Sequence, residues 1–165
     1  MARKSGPLRN VRLLVLDVDG VLTDGRLYYG ARGEALKVFH VLDGHGIREV
    51  QRAGIVVAVI SGRASPAVRR RCRELGIRHL RQGVEDKLAV LQRLCARLGV
   101  ALEECAAVGD DTPDVPVLRA VGHAFAVPGA HPSAHRAAGR VTRAAGGLGA
   151  VREVCDLLVA ARARP

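Results

Sequence analysis

Aromatic residues are nearly absent from this 165-residue chain, which has two tyrosines, two phenylalanines and no tryptophan. Because unpaired bases bind proteins largely by stacking on aromatic rings, we expect no nucleic-acid partner. Long apolar runs are absent too: no stretch approaches the roughly 20 residues that span a bilayer, and residues 1–7 contain no apolar leader segment. We therefore expect no membrane partner and a cytoplasmic location.

Lysine is also scarce. The basic residues number 26, but only Lys4, Lys37 and Lys87 are lysines, so arginine supplies nearly all of the net charge of +10. The arginines are scattered along the chain, and we interpret them as a solvated surface that attracts anionic ligands. The four cysteines form no Cys-x-x-Cys spacing, so we expect them to pack as small apolar residues rather than bind zinc or form disulfides.

Buried strands and amphipathic helices alternate along the chain. Continuous apolar runs predict strands at 11–19, 55–61, 105–108 and 123–127. Helical spacing of apolar residues predicts helices at 46–53, between Ser65-Pro66 and Gly76, and at 85–98, 115–121, 132–138 and 150–161. This alternation is typical of an α/β fold, a doubly wound, Rossmann-like parallel sheet with helices on both faces.

A β-hairpin is predicted after the first strand, because segments 26–29 and 35–41 flank a Gly-Ala-Arg-Gly loop at 30–33. Hydrophobic residues make up 48% of the chain, which is enough for one packed core. No linker or internal repeat is visible, so we expect a single domain at 10–165 that follows a basic N-terminal stub at 1–9.

Polar residues follow three of the predicted strands. Asp17 and Asp19 end the first strand, Ser61 ends the second, and Asp110 comes after the third. Ligands of open α/β sheets bind at the carboxyl ends of the strands. Residues two apart in a strand point to the same side, so Asp17 and Asp19 can flank one reacting centre. The Ser61 hydroxyl, followed by a glycine, suits the oxygens of a phosphoryl group.

A lysine and an acidic cluster complete this constellation. Lys87 lies near the start of a predicted helix, where the helix dipole favours an anion. Asp110, Asp111 and Asp114 add negative charge close to Asp17, and clustered carboxylates repel one another unless a cation lies between them. An oxygen-rich site of this kind predicts Mg²⁺ as cofactor.

These motifs resemble those of the haloacid-dehalogenase superfamily of phosphohydrolases. They follow one another in the superfamily's order as Asp17-Val18-Asp19-Gly20-Val21, Ser61, Lys87 and Gly109-Asp110-Asp111-x-x-Asp114. Within the superfamily, residues 19–25, 40–48, 82–87 and 146–153 are similar to the 3-deoxy-D-manno-octulosonate 8-phosphate (KDO 8-phosphate) phosphatases, a resemblance that covers about residues 10–160. The resemblance implies a capless core, and the 41 residues between Asp19 and Ser61 and the 25 between Ser61 and Lys87 leave no room for a separate cap domain.

The resemblance also implies roles in phosphomonoester hydrolysis through an aspartyl-phosphate intermediate. Asp17 is the implied nucleophile, and Asp19 is the implied acid and base. Ser61 and Lys87 would hold the phosphoryl oxygens. Mg²⁺ would bind the side chains of Asp17 and Asp110 and the backbone carbonyl of Asp19.

The implied substrate is KDO 8-phosphate, hydrolysed to KDO for lipopolysaccharide biosynthesis. The residues implied in binding it are Asp19, His40, Val41, Leu42, Asp43, Gly44, Arg48, Gly62, Arg63, Arg71, Lys87 and Asp111. Arginine suits the sugar-acid carboxylate because its planar fork pairs with two oxygens at once. For Asp114 and Arg71 a purely structural role stays open. The resemblance further implies a homotetramer in which neighbouring subunits cover the site.

Three other functions are alternatives to the hydrolysis of KDO 8-phosphate. A phosphatase for a nine-carbon acid, an N-acylneuraminate or KDN 9-phosphate, would use the same motifs, but Arg63 after Ser-Gly favours the eight-carbon acid. A receiver-type phosphoacceptor domain needs no second acid two residues after its aspartate, so Asp19 argues against it. A non-catalytic relative would not require Asp17, which is intact.

Overall fold

The apolar runs of the sequence form the middle of a six-stranded parallel sheet in the computed structural model, which describes residues 6–163. The strands are β1 Leu13–Leu16, β2 Tyr28–Gly30, β3 Gly33–Leu36, β4 Val56–Ile60, β5 His79–Arg81, β6 Cys105–Gly109, β7 His123–Ala126 and β8 Arg140–Val141. The order in the sheet is β5-β4-β1-β6-β7-β8, whereas β2 and β3 form a separate antiparallel hairpin. Every residue of β1 is buried, as a central strand requires.

Helices cover both faces of the sheet. They are α1 Val41–Arg52, α2 Pro66–Glu74, α3 Lys87–Leu98, α4 Val115–Ala120, α5 Pro132–Ala137 and α6 Ala150–Ala163. Helix α1 packs against α6, and α4 packs against both α3 and α5. Right-handed crossovers between parallel strands place these two groups on opposite faces. The predicted doubly wound sheet and the predicted hairpin are confirmed.

The central position of β1 determines which residues meet at the carboxyl edge of the sheet. Strand β1 pairs with β4 on one side and with β6 on the other, so that Leu16 lies opposite both Val59 and Val108. The Asp17 amide, one residue beyond β1, donates to the Val108 carbonyl at 3.2 Å. The parallel register therefore brings the residues after β1, β4 and β6 to the same edge of the sheet.

Helix α3 begins at Lys87, two residues later than predicted. Asp86 is its N-cap, and the Asp86 carboxylate accepts the Ala89 amide at 2.9 Å. Gly99, with φ of +61°, ends the helix in the left-handed conformation that glycine adopts readily. The cap therefore fixes Lys87 as the first helical residue, at the carboxyl edge of the sheet.

The predicted start of the first helix at Gly46 is wrong, because α1 begins at Val41. His40 is the N-cap, and its Nδ1 accepts the Leu42 amide at 3.3 Å. Gly44 precedes the predicted helix and Gly46 begins it, but both lie inside α1. A Cβ on Gly44 would lie 2.3 Å from the Arg71 guanidinium, and one on Gly46 would lie 2.8 Å from a side-chain atom of Arg152. These glycines allow close packing against α2 and α6.

Other differences from the predicted elements are small. The second hairpin strand ends at Leu36 instead of Val41, because the chain turns toward α1. Strands β5 and β8 were not predicted, since three and two residues are too few for a recognisable pattern. All four cysteines are buried and unbridged, as expected.

The N-terminal stub stays a prediction, since residues 1–5 lie outside the described part of the chain. Leu8, also assigned to the stub, lies in a 3₁₀ turn spanning Leu8–Asn10 and packs against the hydrophobic core. Within residues 6–163, no helix combines the length and the apolar character that crossing a membrane demands.

Gly122→Ala tests how closely the segment before β7 approaches its neighbour. A Cβ at Gly122 would lie 2.1 Å from the Glu103 carbonyl oxygen, a backbone atom that cannot rotate away. We expect the variant to lose about 1–3 kcal/mol of unfolding free energy, the usual effect of overpacking, as measured by urea denaturation.

The matched control is Gly129→Ala, because a Cβ at Gly129 meets no atom within 4 Å. Its unfolding free energy should stay within about 0.5 kcal/mol of the wild-type value. Equal losses in the two variants would contradict the tight contact between Gly122 and Glu103.

Candidate active site

Three carboxylates and one lysine meet beyond the carboxyl ends of β1 and β6. The Lys87 ammonium lies 2.8 Å from Asp17 Oδ1 and 2.7 Å from Asp114 Oδ1, and only 6% of the lysine side chain is exposed. One carboxylate oxygen from each of Asp17, Asp110 and Asp114 lies within 4.8 Å of the others. The structure therefore brings together the predicted Asp17, Lys87 and Asp110.

Two glycines leave the space that this cluster occupies. Gly20 has φ of +88°, and a Cβ there would lie 2.0 Å from an oxygen of Asp110. A Cβ on Gly109 would lie 2.6 Å from Cβ of Asp114. The turn after β1 and the end of β6 can therefore approach the carboxylates only because they carry no side chain at these positions.

The cluster carries more negative charge than Lys87 neutralises. Burial raises the pKa of Asp110 to about 8, and the charges of Asp17 and Asp114 contribute to the same shift. Burial and the Asp114 charge raise the pKa of Asp17 to about 6, although Lys87 opposes the change. Burial alone would lower the pKa of Lys87, but the two adjacent carboxylates outweigh it and raise that pKa.

This donor set fits a divalent cation. Carboxylate oxygens are the ligands that hard cations such as Mg²⁺ prefer, and a cation would relieve the repulsion that raises the two carboxyl pKa values. Asp17 and Asp110 stay the predicted ligands. Asp114 belongs to the same triad, but it already binds Lys87 and accepts the backbone amides of Asp110 at 3.0 Å and Asp111 at 3.3 Å. Its contacts position the other residues.

The Asp19 carboxylate lies outside the triad. Asp19 Oδ1 is 2.5 Å from the Lys37 ammonium, and Oδ2 is 3.9 Å from Nε of Arg63. This arrangement is compatible with the prediction that Asp19 offers a metal its backbone carbonyl rather than its side chain. The side chain is then available for proton transfer.

The turn after β4 brings Ser61, Gly62 and Arg63 to the same edge. Ser61 is buried, and its hydroxyl accepts the Arg63 amide at 3.3 Å. The Arg63 guanidinium donates to the Tyr29 hydroxyl at 3.1 Å and lies 3.6 Å from Glu34, both on the hairpin. Arg63 therefore joins the site to the hairpin.

A second group of residues, predicted to bind the substrate, lies where α1 begins. His40, Asp43, Gly44 and Arg71 line one small cavity, with the Arg71 guanidinium 6.0 Å from the centre of the Phe39 ring. The structure thus brings Arg71 to the predicted substrate-binding segment. Val41 and Leu42 are exposed on the first turn of α1.

Asp43, one of these residues, forms a hydrogen bond between two helices. Its carboxylate is buried and accepts the Arg152 amide at the start of α6 at 2.8 Å. Burial raises its pKa, although the accepted backbone amides oppose that shift. Asp43 therefore ties α1 to α6, whatever it contributes to binding.

Of two further predicted residues, Arg48 lies away from the carboxylate triad, whereas the backbone amide of Asp111 donates to Asp114 within it. The Arg48 guanidinium donates to the Glu74 carbonyl at the end of α2. Because α2 leads into the parallel strand β5, that helix end lies toward the opposite edge of the sheet. Asp111 is exposed, and its carboxylate caps a 3₁₀ turn by accepting the Thr112 amide at 2.6 Å.

Sequence reasoning missed Lys37 and Glu34. The Lys37 ammonium lies 3.3 Å from Glu34 as well as beside Asp19, and 4% of the lysine side chain is exposed. The sequence does contain one indication of Lys37, because lysine is scarce and this scarcity singles out Lys37 as much as Lys87. It was overlooked because both residues belong to the hairpin, and the approach of the hairpin to the site is visible only in three dimensions.

The fold and this site define a haloacid dehalogenase-type hydrolase, with a carboxylate pair after the central strand and a buried lysine beside the first carboxylate. The family model described as haloacid dehalogenase-like hydrolase matches residues 32–122. This membership excludes the receiver-type alternative.

Comparison with individual relatives identifies the family within this class of hydrolases. The 3-deoxy-D-manno-octulosonate 8-phosphate phosphatase KdsC of Escherichia coli strain K12 is 52% identical over 155 residues, which are 94% of this chain and 82% of that protein. The chain therefore belongs to the family of 3-deoxy-D-manno-octulosonate 8-phosphate phosphatases.

Two solved structures of such phosphatases are also similar to this chain. The phosphatase from Moraxella catarrhalis, in complex with magnesium, phosphate and KDO, has a TM-score of 0.92 and 41% identity, covering 94% of this chain and 89% of that one. The phosphatase from Yersinia pestis has a TM-score of 0.91 and 48% identity, covering 94% and 84%.

Asp110→Asn tests the excess negative charge. A folded-state pKa of about 8, against about 4 in an unfolded chain, means that the folded state holds an extra proton between these pH values. Stability therefore falls as the pH rises through that range. In EDTA, we expect the wild-type protein to lose more unfolding free energy between pH 6 and pH 8 than the variant loses, as measured by urea denaturation.

The control is Asp156→Asn, which removes an exposed carboxylate paired with Arg152 on α6. It should keep the wild-type dependence on pH. MgCl₂ at pH 8 should restore stability to the wild-type protein and much less to Asp110→Asn. Identical pH dependence in all three proteins would contradict the raised pKa of Asp110.

Proposed function

We propose that this protein hydrolyses KDO 8-phosphate to KDO and phosphate with Mg²⁺ as cofactor, and thereby supplies KDO for lipopolysaccharide biosynthesis. The observation that carries the proposal is the buried contact of Lys87 with Asp17 and Asp114, with Asp110 beside them. The relatives named for the same reaction support the substrate.

Asp17 is the proposed nucleophile. Its carboxylate forms a bond to phosphorus as the bond from phosphorus to the sugar oxygen breaks, which gives an aspartyl-phosphate. Asp19 donates a proton to the departing sugar oxygen and later accepts one from the water that attacks the phosphorus and frees Asp17. Asp19 follows Asp17 by two residues in the turn after β1, where its carboxylate lies beside Lys37 and Arg63.

The other residues hold the phosphoryl group and its charge. Ser61 and Lys87 bind the non-bridging oxygens, and Asp114 orients Lys87 through their 2.7 Å contact. Asp17, Asp110 and the Asp19 carbonyl would hold Mg²⁺, which would neutralise charge between the carboxylates and the phosphate.

We propose that the sugar acid lies between Arg63 and the segment that begins α1. Arg63 is beside Asp19, and Arg71 lies against His40 and Gly44 at the start of α1. A guanidinium fork suits the substrate carboxylate. Asp111 and Gly62 belong to the same proposed surface, whereas the position of Arg48 gives it an indirect role through α2.

Asp17→Asn should abolish phosphate release from KDO 8-phosphate, because an amide cannot attack phosphorus. We expect a fall in kcat on the order of 10³-fold or more, measured as inorganic phosphate released with and without MgCl₂. The wild-type protein should lose its activity in EDTA and recover it with MgCl₂.

The control is Asp24→Asn, which changes an exposed carboxylate that caps a local turn by accepting the Arg26 amide at 3.0 Å. It should keep wild-type turnover. Faster hydrolysis of an N-acylneuraminate 9-phosphate than of KDO 8-phosphate would replace the proposed substrate with a nine-carbon acid. Unchanged activity of Asp17→Asn would overturn the mechanism.

We also propose that the chain acts as a homotetramer in which neighbouring subunits cover the site. The hairpin and its flanks expose several large apolar side chains, namely Leu27, Tyr29, Leu36, Val38 and Val41. Exposed apolar groups concentrated on one projecting element are typical of an interface between chains. A tetramer would enclose the site without a cap domain.

Leu36→Glu should break this assembly, since it places a charge on the exposed hairpin. Light scattering should give four times the 17.5 kDa chain mass for the wild-type protein and a smaller mass for the variant. Val141→Glu, at an exposed position on the far edge strand β8, is the control and should keep the wild-type mass. A monomeric wild-type protein would contradict the proposal.

A further inference from the structure

Lys37 is a buried lysine outside every motif of the sequence. Its ammonium lies 2.5 Å from Asp19 Oδ1 and 3.3 Å from Glu34 Oε2, and 4% of its side chain is exposed. A buried ammonium is retained where partners compensate its charge, and the two carboxylates do so here. The pairing is specific, because Lys37 follows the hairpin strand β3 whereas Asp19 follows β1.

The contact constrains the orientation of the Asp19 carboxylate. Lys37 occupies Oδ1, whereas Oδ2 makes no hydrogen bond with any residue that the structure describes and lies 3.9 Å from Nε of Arg63. One oxygen is thus held and the other stays available to exchange a proton. A carboxylate on a short side chain has few rotamers, so holding one oxygen largely fixes the other.

Glu34 in turn fixes Lys37. Glu34 Oε1 accepts the Ser65 hydroxyl at 2.5 Å, and Oε2 lies 3.6 Å from Arg63. Ser65 stands at the N-cap of α2, yet its side chain makes no cap hydrogen bond and binds Glu34 instead. A continuous chain of contacts therefore runs from Asp19 through Lys37 and Glu34 to the start of α2.

We propose that Lys37 is a positioning residue that holds Asp19 for proton transfer to the departing sugar oxygen. The inference rests on the proposed function, in which Asp19 is the acid. It gives the hairpin a part in the chemistry, because the residue that orients the acid comes from the hairpin rather than from the sheet.

The test compares two esters with different leaving groups in the presence of MgCl₂. KDO 8-phosphate releases an alcohol that needs a proton, whereas 4-nitrophenyl phosphate releases a phenolate that does not. The ratio kcat/KM reports the steps up to departure of the leaving group. For Lys37→Met we expect kcat/KM to fall on the order of 10²-fold with KDO 8-phosphate and less than about threefold with 4-nitrophenyl phosphate.

Two further variants separate positioning from folding. Arg32→Met removes a positive charge from an exposed position in the same hairpin and should leave both ratios unchanged. Lys37→Arg keeps the charge but places its donors differently, so it should show the same selective loss at a smaller magnitude. This variant also decides the question if Lys37→Met fails to fold, as judged by its thermal unfolding.

Equal losses with both esters would show a purely structural role and overturn the inference, as would unchanged values with both. If the wild-type protein releases no phosphate from KDO 8-phosphate, the proposed substrate fails instead. The same comparison with β-glycerol phosphate as the alkyl ester then decides the role of Lys37.

Discussion

The accumulation of negative charge after the central strand is the constraint on which the rest of the site depends. Asp17, Asp110 and Asp114 place oxygens within 4.8 Å of one another, and one buried lysine offsets only part of their repulsion. The fold supports this because Lys87 is fixed by the Asp86 cap and because glycines leave space around the carboxylates. Unrelieved negative charge of this kind attracts a cation and, through it, an anionic ester.

The central part of the fold could be predicted from the sequence because its signals are local. Apolar runs identified β1, β4 and β6, and parallel pairing then required the residues after these strands to meet at one edge. The location of Asp17, Ser61 and Asp110 at one edge of the sheet could therefore be predicted from the strands alone. The start of α3 was nearly right for the same reason, since Asp86 and Gly99 lie next to the residues that they cap.

The parts that could not be predicted depend on contacts between distant segments. Gly44 lies before the predicted helix, yet Gly44 and Gly46 are both helical and allow α1 to pack closely against Arg71 and Arg152. Ser65 has the sequence of a helix cap, but its hydroxyl binds Glu34, 31 residues earlier in the chain. In each case a tertiary contact overrides the local preference, and a single sequence carries no trace of that contact.

The hairpin contacts the site through polar side chains and leaves apolar side chains exposed. A two-stranded hairpin is at best marginally stable alone in water, so β2 and β3 owe their order to what they contact. Toward the site those contacts are polar: Glu34 binds Ser65, and Tyr29 binds Arg63. Leu36, by contrast, is left exposed. A partner that covered this exposed apolar surface would stabilise the hairpin and therefore its contacts with the site. The proposed association would consequently also affect the geometry around Asp19.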